Sequence, residues 1–471
     1  MLFQSWQYLI LLLAAVAVIF LVKSSTVKRI TILALSLFFY AYGGQWQTLL
    51  FIAVIAAAYG VGILLDKTKN KWILTLCIIG LFSPLMLYKY IPFLFNDVLS
   101  LNVHLELVLP IGISFYSFQA VGYVIDVYRG QSKPERNFIT FACFISFFPQ
   151  LVAGPIERSG NLMEQIRRLN KPSSKQLSAG FRHILLGLCL KLLIAETMAR
   201  FVDPVYNSLP DRGGLAVLIA TVFFGIQIYC DFNGYTQIAI GSAKLMGIDL
   251  MQNFDHPYRA HSISDFWRRW HISLTSWFRD YLYIPLGGNR KGKLRTALNS
   301  VITFFVSGLW HGANWTFALW GLVNGVSMAV EKQYLRPLSK RKWLAIPYSI
   351  LTYVLVTLFW VLFRANSLSD ALVCYKLIFT DTLNQLTSLT SFSAIYNFFT
   401  SGSGWSTAAI FPLAVSLFIY LWYEYGMRLD LTGRLTSNRT WVRWLAYALL
   451  IFATLYFGST LAQSDFVYFR F

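Results

Sequence analysis

The stretch FFVSGLWHGANWTFALWG, residues 304–321, places a single histidine, His311, at the junction of two apolar runs. An ionisable side chain at membrane depth is costly, and such a residue is by default a hypothesis for a functional site. Imidazole suits proton transfer, because its ordinary pKa of about 6.5 lets it accept and return a proton around neutral pH. The alternative is a structural histidine that is hydrogen-bonded between two helices.

The composition extends the membrane prediction to the whole chain. Of its 471 residues, 56% are hydrophobic and 13% are charged, and the mean hydropathy is +0.54, whereas soluble domains carry about 25% charged residues. We therefore predict an all-α polytopic membrane protein with about 11–13 transmembrane or re-entrant helices. The predicted spans are 5–22, 30–43, 46–65, 73–95, 107–127, 138–153, 179–197, 214–230, 297–310, 313–330, 344–363, 406–424 and 444–462.

We expect one transmembrane domain over residues 1–471, made of N-terminal helices (1–84), a core (85–330) and C-terminal helices with an aromatic tail (331–471). Lys and Arg follow the first, third and fifth predicted spans, whereas the turns between these loops contain neither. Arg428, Arg434, Arg439 and Arg443 likewise precede the last predicted span. Because basic residues favour cytoplasmic loops, both termini are predicted to lie outside the cytoplasm.

The formal net charge of +19 also fits a membrane protein, since basic residues gather in cytoplasmic loops and beside anionic lipid, and we predict no nucleic-acid partner. The most polar segment, within residues 251–300, mixes aromatic residues with Arg268 and Arg269. It is typical of an amphipathic helix lying in the cytoplasmic interface, where His271 would be an interfacial residue. A metal site made from His271 and His311 lacks a carboxylate or Cys at ligand spacing, so no metal is predicted.

Two further polar residues, Asp231 and Asn233, interrupt an apolar run. A buried carboxylate needs partners, so a hydrogen bond between helices is the first interpretation and a substrate contact the second. The chain has no Asp-x-Asp, P-loop or G-x-S-x-G motif, which argues against a glycosyltransferase, a nucleotide-driven pump and a serine hydrolase. The five cysteines are scattered, which excludes a disulfide framework or a thiolate zinc site.

Two motifs, FWRRWHISLTSWFRDYLYIPLGGNR (266–290) and GLWHGANW (308–315), resemble the membrane-bound O-acyltransferase (MBOAT) family. More narrowly they are similar to the bacterial polysaccharide O-acetyltransferases that act on alginate and on peptidoglycan, and the resemblance runs from about residue 85 to the C-terminus. It implies an MBOAT fold, a ring of helices around a thinned centre with a cytoplasmic funnel. The invariant histidine of the family falls on His311, and its more variable second position falls on His271.

The resemblance also implies an activity, in which acetyl moves from cytoplasmic acetyl-CoA, a substrate and not a bound cofactor, towards an extracytoplasmic polysaccharide. Peptidoglycan is the favoured acceptor, with alginate or another exopolysaccharide as the alternative, and an SGNH/GDSL-like acetyltransferase is the expected partner outside a bacterial cytoplasmic (inner) membrane. Arg268 and Arg269 suit the phosphates of CoA, although contact with lipid headgroups explains each of them equally well. Trp310 and Asn314, beside His311, are further candidates for donor binding.

The chain ends in FVYFRF, residues 466–471, which resembles an F-[IV]-Y-F-x-F tail of related systems, in one of which the tyrosine is implicated as an acyl carrier. The resemblance puts Tyr468 in the carrier position, where His311, with His271, would activate its hydroxyl against the thioester carbonyl. The competing mechanism is direct transfer through His311, with Tyr468 only an interfacial anchor.

Two other classes stay open from the residues alone, a transporter or flippase with a midplane histidine and a structural scaffold for polysaccharide export. Donor turnover separates them, because a transporter or a scaffold consumes no acetyl-CoA.

Overall fold

The apolar runs of the sequence form helices, since a helix satisfies its backbone N–H and C=O groups within one segment. The computed structural model describes residues 1, 3–101, 107–152, 154–335, 342–399, 405, 409–425 and 440–460. Over these ranges the chain is built of helices and turns, with no strand. The all-α prediction is therefore confirmed.

The main helices follow one another along the chain as follows: α1 Trp6–Leu21, α2 Ser25–Gly44, α3 Gln47–Thr68, α4 Lys71–Val98, α5 Ile113–Tyr128, α6 Phe138–Ser146, α7 Ser159–Arg168, α8 Ser174–Leu188, α9 Glu196–Tyr206, α10 Gly214–Leu245, α11 Ile263–Arg269, α12 Ile272–Phe278, α13 Gly292–His311, α14 Trp315–Val330, α15 Ala345–Arg364, α16 Leu368–Thr380, α17 Thr382–Ser388, α18 Phe392–Asn397, α19 Ile410–Glu424 and α20 Thr440–Thr460. A π-helical segment, Cys189–Ala195, joins α8 to α9.

Within the described ranges, the helices long and apolar enough to cross a membrane are α3, α4, α10 and α15. They differ in burial: 83% of the most apolar part of α10 is buried, against 11% for α4. An apolar helix that leaves most of its surface uncovered needs lipid around it, whereas α10 is covered by protein. The residues on α10 are therefore enclosed by neighbouring helices.

The chain forms two compact units, each assembled from three separate stretches. The first unit comprises residues 1–184, 235–253 and 273–281. Its core contains buried aromatic side chains such as Tyr116, Phe141 and Phe144, and the Trp277 indole N–H donates to the Phe118 carbonyl at 2.9 Å. The second unit comprises residues 185–234, 254–272 and 282–471, and both His271 and His311 belong to it.

The α13–α14 hairpin holds His311 and packs backbone against backbone. Its helices carry GLWHG (308–312) and GLVNG (321–325), the small-xxx-small spacing that lets membrane helices approach closely. A Cβ atom on Gly308 would lie 2.2 Å from the Phe317 carbonyl oxygen, and one on Gly321 would lie 2.4 Å from the Phe304 carbonyl oxygen. Only glycine allows this approach.

We expect Gly321→Ala to lower the thermal stability of the detergent-purified protein, because the added methyl group forces α13 and α14 apart at a cost of about 1–3 kcal/mol. The matched control is Gly60→Ala on α3, where an added Cβ meets no atom within 4 Å. The two melting temperatures, measured by intrinsic fluorescence, test this packing; equal values for the two variants would contradict it.

The predicted span 138–153 is wrong in its second half. Helix α6 ends at Ser146, and Phe147 already has φ −52° and ψ 106°. The physical reason is Pro149, which cannot continue a helix and disfavours helical backbone in the residue before it.

The predicted amphipathic helix around residues 262–295 is also wrong as a single interfacial element. It is divided into α11 and α12 at Trp270, whose backbone is extended, and at His271, whose φ is +44°. Instead of one apolar face, both short helices bury aromatic rings, including Phe266, Trp267 and Phe278. The sequence pattern that suits one interfacial helix is therefore found here in two short helices that bury their aromatic rings.

Candidate active site

His311 is the last residue of α13, and aromatic rings surround it. Its imidazole centroid lies 4.9 Å from the ring of Trp310, 5.2 Å from that of Trp320 and 5.4 Å from that of Phe363. Only 5% of the His311 surface is exposed. Aromatic walls exclude water and strengthen electrostatic interactions within the enclosure.

His271 lies beside His311, with the two ring centroids 6.5 Å apart. Its left-handed backbone, φ +44°, is uncommon for a residue other than glycine and is a form of strain that clusters at functional sites. Its ring packs on Phe232 at 4.7 Å and on Trp310 at 6.0 Å. Burial lowers the pKa of the His271 imidazole to about 3, which keeps it neutral at physiological pH.

The structure thus brings together two histidines that are separated by forty residues in the sequence. Trp310 contacts both imidazoles, so it positions the pair. Because His271 stays neutral, His311 is the imidazole placed to accept and return a proton from a reacting group between the two rings. No group of three metal-ligating side chains lies together in the described ranges.

Asn314 lies just beyond His311 and begins α14, where its side-chain oxygen accepts from the Thr316 backbone N–H at 3.1 Å. It also lines a cavity of about 410 Å³ in the second unit. The sequence predicted that Asn314 binds the acyl donor. In the structure its side chain caps the start of α14 and lines this cavity.

Arg268 and Arg269 end α11 and are both held by Asp265. The Arg268 guanidinium donates to Asp265 at 2.5 Å, and the Arg269 Nε donates to the same oxygen at 3.0 Å. The Arg268 side chain is 76% exposed. Arg268 can therefore offer further N–H donors to an anionic group, whereas Arg269 is 27% exposed and also donates to the Asp255 carbonyl at 3.2 Å.

Asp231 is one of three buried charged side chains that the sequence did not connect. The Lys191 ammonium lies 2.9 Å from Asp231 and 2.8 Å from Glu196, and all three side chains are at most 2% exposed. This arrangement ties α10 to the α8–α9 region, and both interpretations of Asp231 stay predictions. Asn233 also joins helices, because its amide donates to the Tyr423 hydroxyl at 2.9 Å.

Glu424 at the end of α19 was missed by the sequence analysis. Its fully buried carboxylate accepts from the Tyr229 hydroxyl at 3.2 Å and lies 3.1 Å from Nδ1 of His256. The residues next to Glu424 in the sequence are apolar or aromatic. Nothing in the local sequence therefore reveals its contacts with Tyr229 and His256. Tyr468, the remaining predicted site residue, lies outside the described residues.

Comparison with known proteins identifies the class. Residues 32–369 of the chain match the sequence model of MBOAT, the membrane-bound O-acyltransferase family. The chain belongs to this family, and it is a multi-pass membrane acyltransferase.

Three relatives of named function align with most of the chain. Probable alginate O-acetylase AlgI of Pseudomonas aeruginosa is 35% identical over 416 residues, or 83% of this chain and 77% of that protein. Peptidoglycan O-acetyltransferase of Helicobacter pylori is 33% identical over 391 residues, or 75% and 74%. Teichoic acid D-alanyltransferase of Bacillus subtilis is 28% identical over 308 residues, or 64% and 76%.

Proposed function

We propose that this acyltransferase is an O-acetyltransferase that moves acetyl from cytoplasmic acetyl-CoA to a polysaccharide outside the cytoplasm. Peptidoglycan is the favoured acceptor, and alginate or another exopolysaccharide is the alternative. The observation that carries the proposal is the buried pair of imidazoles, whose centroids lie 6.5 Å apart in an aromatic enclosure. The names of the alginate and peptidoglycan relatives support acetyl as the group and polysaccharide as the acceptor class.

The transfer runs in two steps through Tyr468. A phenol of pKa about 10 becomes a good nucleophile when a base removes its proton, and His311, with His271 beside it, is that base. The Tyr468 oxygen attacks the thioester carbonyl, a C–O bond forms as the C–S bond breaks, and the CoA thiolate leaves with the proton that the imidazole returns. The product is an aryl acetate on Tyr468.

The aryl acetate is a good onward donor because phenolate leaves more readily than an alkoxide. An SGNH/GDSL-type partner then places the acetyl group on the polysaccharide: a polysaccharide hydroxyl attacks the acetyl carbonyl, and the Tyr468 phenolate departs and takes up the proton that this hydroxyl loses. In this scheme the protein lies in a bacterial inner membrane and both termini lie outside the cytoplasm. The distribution of basic loops supports this orientation.

The donor enters from the cytoplasmic side, where CoA phosphates need cationic partners. Arg268 and Arg269 support this assignment, since Asp265 orients both guanidinium groups and Arg268 remains largely exposed. Planar guanidinium groups bind phosphate oxygens with two parallel hydrogen bonds.

The relay predicts that purified protein incubated with ¹³C-labelled acetyl-CoA acquires a labelled acetyl group on the C-terminal peptide. Tyr468→Phe should carry no label and should lose acetyl delivery to the outer acceptor, because no other residue of the FVYFRF tail bears a hydroxyl. Mass spectrometry of the peptide and release of free CoA are the two readouts. Tyr456→Phe, at an exposed tyrosine of α20, is the matched control. An unlabelled Tyr468 peptide together with a fully active Tyr468→Phe variant overturns the relay in favour of direct transfer.

A further inference from the structure

Glu331 is a buried carboxylate that takes no part in the proposed proton transfer. It directly follows α14, is 3% exposed, and is the only Asp or Glu in the sequence between residues 281 and 369. Burial of a carboxylate is unfavourable unless hydrogen-bond donors compensate its charge. The donors that Glu331 uses connect it to the helix in front of His271.

These donors are backbone N–H groups in the first turn of α11. One carboxylate oxygen of Glu331 accepts from the Ile263 N–H at 2.6 Å, and the other accepts from the Ser264 N–H at 3.1 Å. Hydrogen bonds to a charged acceptor are roughly twice as strong as those between neutral groups. The Ser264 hydroxyl also donates to the Met328 sulfur at 3.0 Å. The start of α11 is therefore held against the end of α14.

From Glu331, α11 runs back along α14 towards the histidine pair. Glu331 still has helical backbone, and Trp320 lies eleven residues before it, about three turns, so both side chains share one face of the helix. Trp267 of α11 packs on Trp320 with ring centroids 5.6 Å apart, and Trp320 packs on His311 at 5.2 Å. The chain then reaches His271, beside His311. The position of α11 on α14 therefore sets where His271 lies.

The backbone of His271 gives this attachment a chemical consequence. A left-handed φ of +44° at a residue other than glycine persists only where the surrounding structure imposes it. The Trp270 N–H donates to the Phe266 carbonyl at 2.9 Å, so the last turn of α11 leads directly into this conformation. A shift of α11 would move the His271 ring relative to His311, and a misplacement of about 1 Å can lower a rate about 10²-fold.

We propose that Glu331 is a positioning residue for acyl transfer, whose carboxylate holds α11 and thereby keeps His271 beside His311. It acts through the backbone N–H groups of Ile263 and Ser264 and contacts no reacting group. The inference rests on the proposed function in one respect, the use of the histidine pair. It is independent of the acceptor polysaccharide and of whether Tyr468 carries the acetyl group.

The test measures CoA release by the purified full-length protein at saturating acetyl-CoA, so that a change in donor affinity does not affect the rate. Glu331→Ala should lower this rate about 10- to 100-fold, because both N–H groups lose their acceptor and α11 shifts. Glu331→Gln keeps one acceptor oxygen and should lose less; it replaces the alanine variant if that protein does not fold. Asn137→Ala, the matched control, removes the cap of α6, where the side chain accepts from the Thr140 N–H at 3.0 Å, and should leave the rate unchanged.

A double-mutant cycle separates the positioning of His271 from a general loss of structure. If Glu331 acts through His271, Glu331→Ala should lower the rate less than twofold in a His271→Ala background. His311, the proposed base, remains in that background, so turnover stays measurable with radiolabelled acetyl-CoA. Equal losses in the two backgrounds would overturn the inference, and so would a wild-type rate in folded Glu331→Ala protein.

A second readout needs no donor. Backbone hydrogen–deuterium exchange of α11 should be about tenfold faster in Glu331→Ala than in the wild type, as expected for lost hydrogen bonds, whereas α6 should be unchanged; Asn137→Ala should give the reverse pattern. Unchanged exchange of α11, or wild-type CoA release in Glu331→Ala while His311→Ala loses it, would overturn the inference alone. A response of both readouts to Glu331→Ala without any acetyl transfer to polysaccharide would overturn the proposed function alone.

Discussion

His311→Ala should reduce release of CoA from acetyl-CoA, the proposed donor, by at least about 10²-fold, because a positioned general base contributes roughly 10²–10⁴-fold to a reaction. The imidazole lies in an enclosure of Trp310, Trp320 and Phe363, where bulk water cannot take over proton transfer. A colorimetric assay for free thiol in proteoliposomes measures the loss directly.

The control for this variant is His261→Ala. His261 is exposed and its ring nitrogen lies 2.8 Å from the Ser349 hydroxyl, so the same substitution there should leave CoA release unchanged. Melting temperatures of both variants distinguish lost chemistry from lost fold. A folded His311→Ala protein with wild-type turnover would show that His311 only joins helices, the structural alternative that its sequence position allowed.

Much of the helical architecture was predictable, because apolar runs such as residues 345–364 identify membrane helices without any knowledge of the fold. Helix ends were less predictable. The motif around His271 has the composition of an interfacial helix, and nothing in its periodicity indicates the left-handed backbone of His271, φ +44°, between α11 and α12. That turn follows from tertiary packing, which local patterns do not encode.

The histidine pair was accessible from the sequence only through family motifs. Composition identified His311 as a polar residue between apolar runs but assigned His271 to the membrane surface, whereas the structure buries it beside His311. Pairing across the fold depends on helix rotation and depth, which a single sequence does not specify.

Lys191→Met should severely destabilise the protein, by about 3–5 kcal/mol, because it removes the ammonium that lies between the Glu196 and Asp231 carboxylates and leaves buried charge poorly compensated. Thermal melting and the yield of monodisperse protein in detergent measure the effect. Lys244→Met is the matched control, since its partner Asp249 is 53% exposed and such surface pairs contribute about 0–1 kcal/mol.

A compensated variant decides between the two interpretations of Asp231. Lys191→Met combined with Glu196→Gln and Asp231→Asn removes the charges together, and replacement of a whole buried ion group is far less costly than loss of one partner. If Asp231 only joins α10 to its neighbours, the triple variant should regain the melting temperature lost by Lys191→Met and should retain CoA release. Recovery of the melting temperature without recovery of CoA release would indicate instead that Asp231 contacts the substrate. If neither recovers, the ion group does more than join the helices, and the proposed role is wrong.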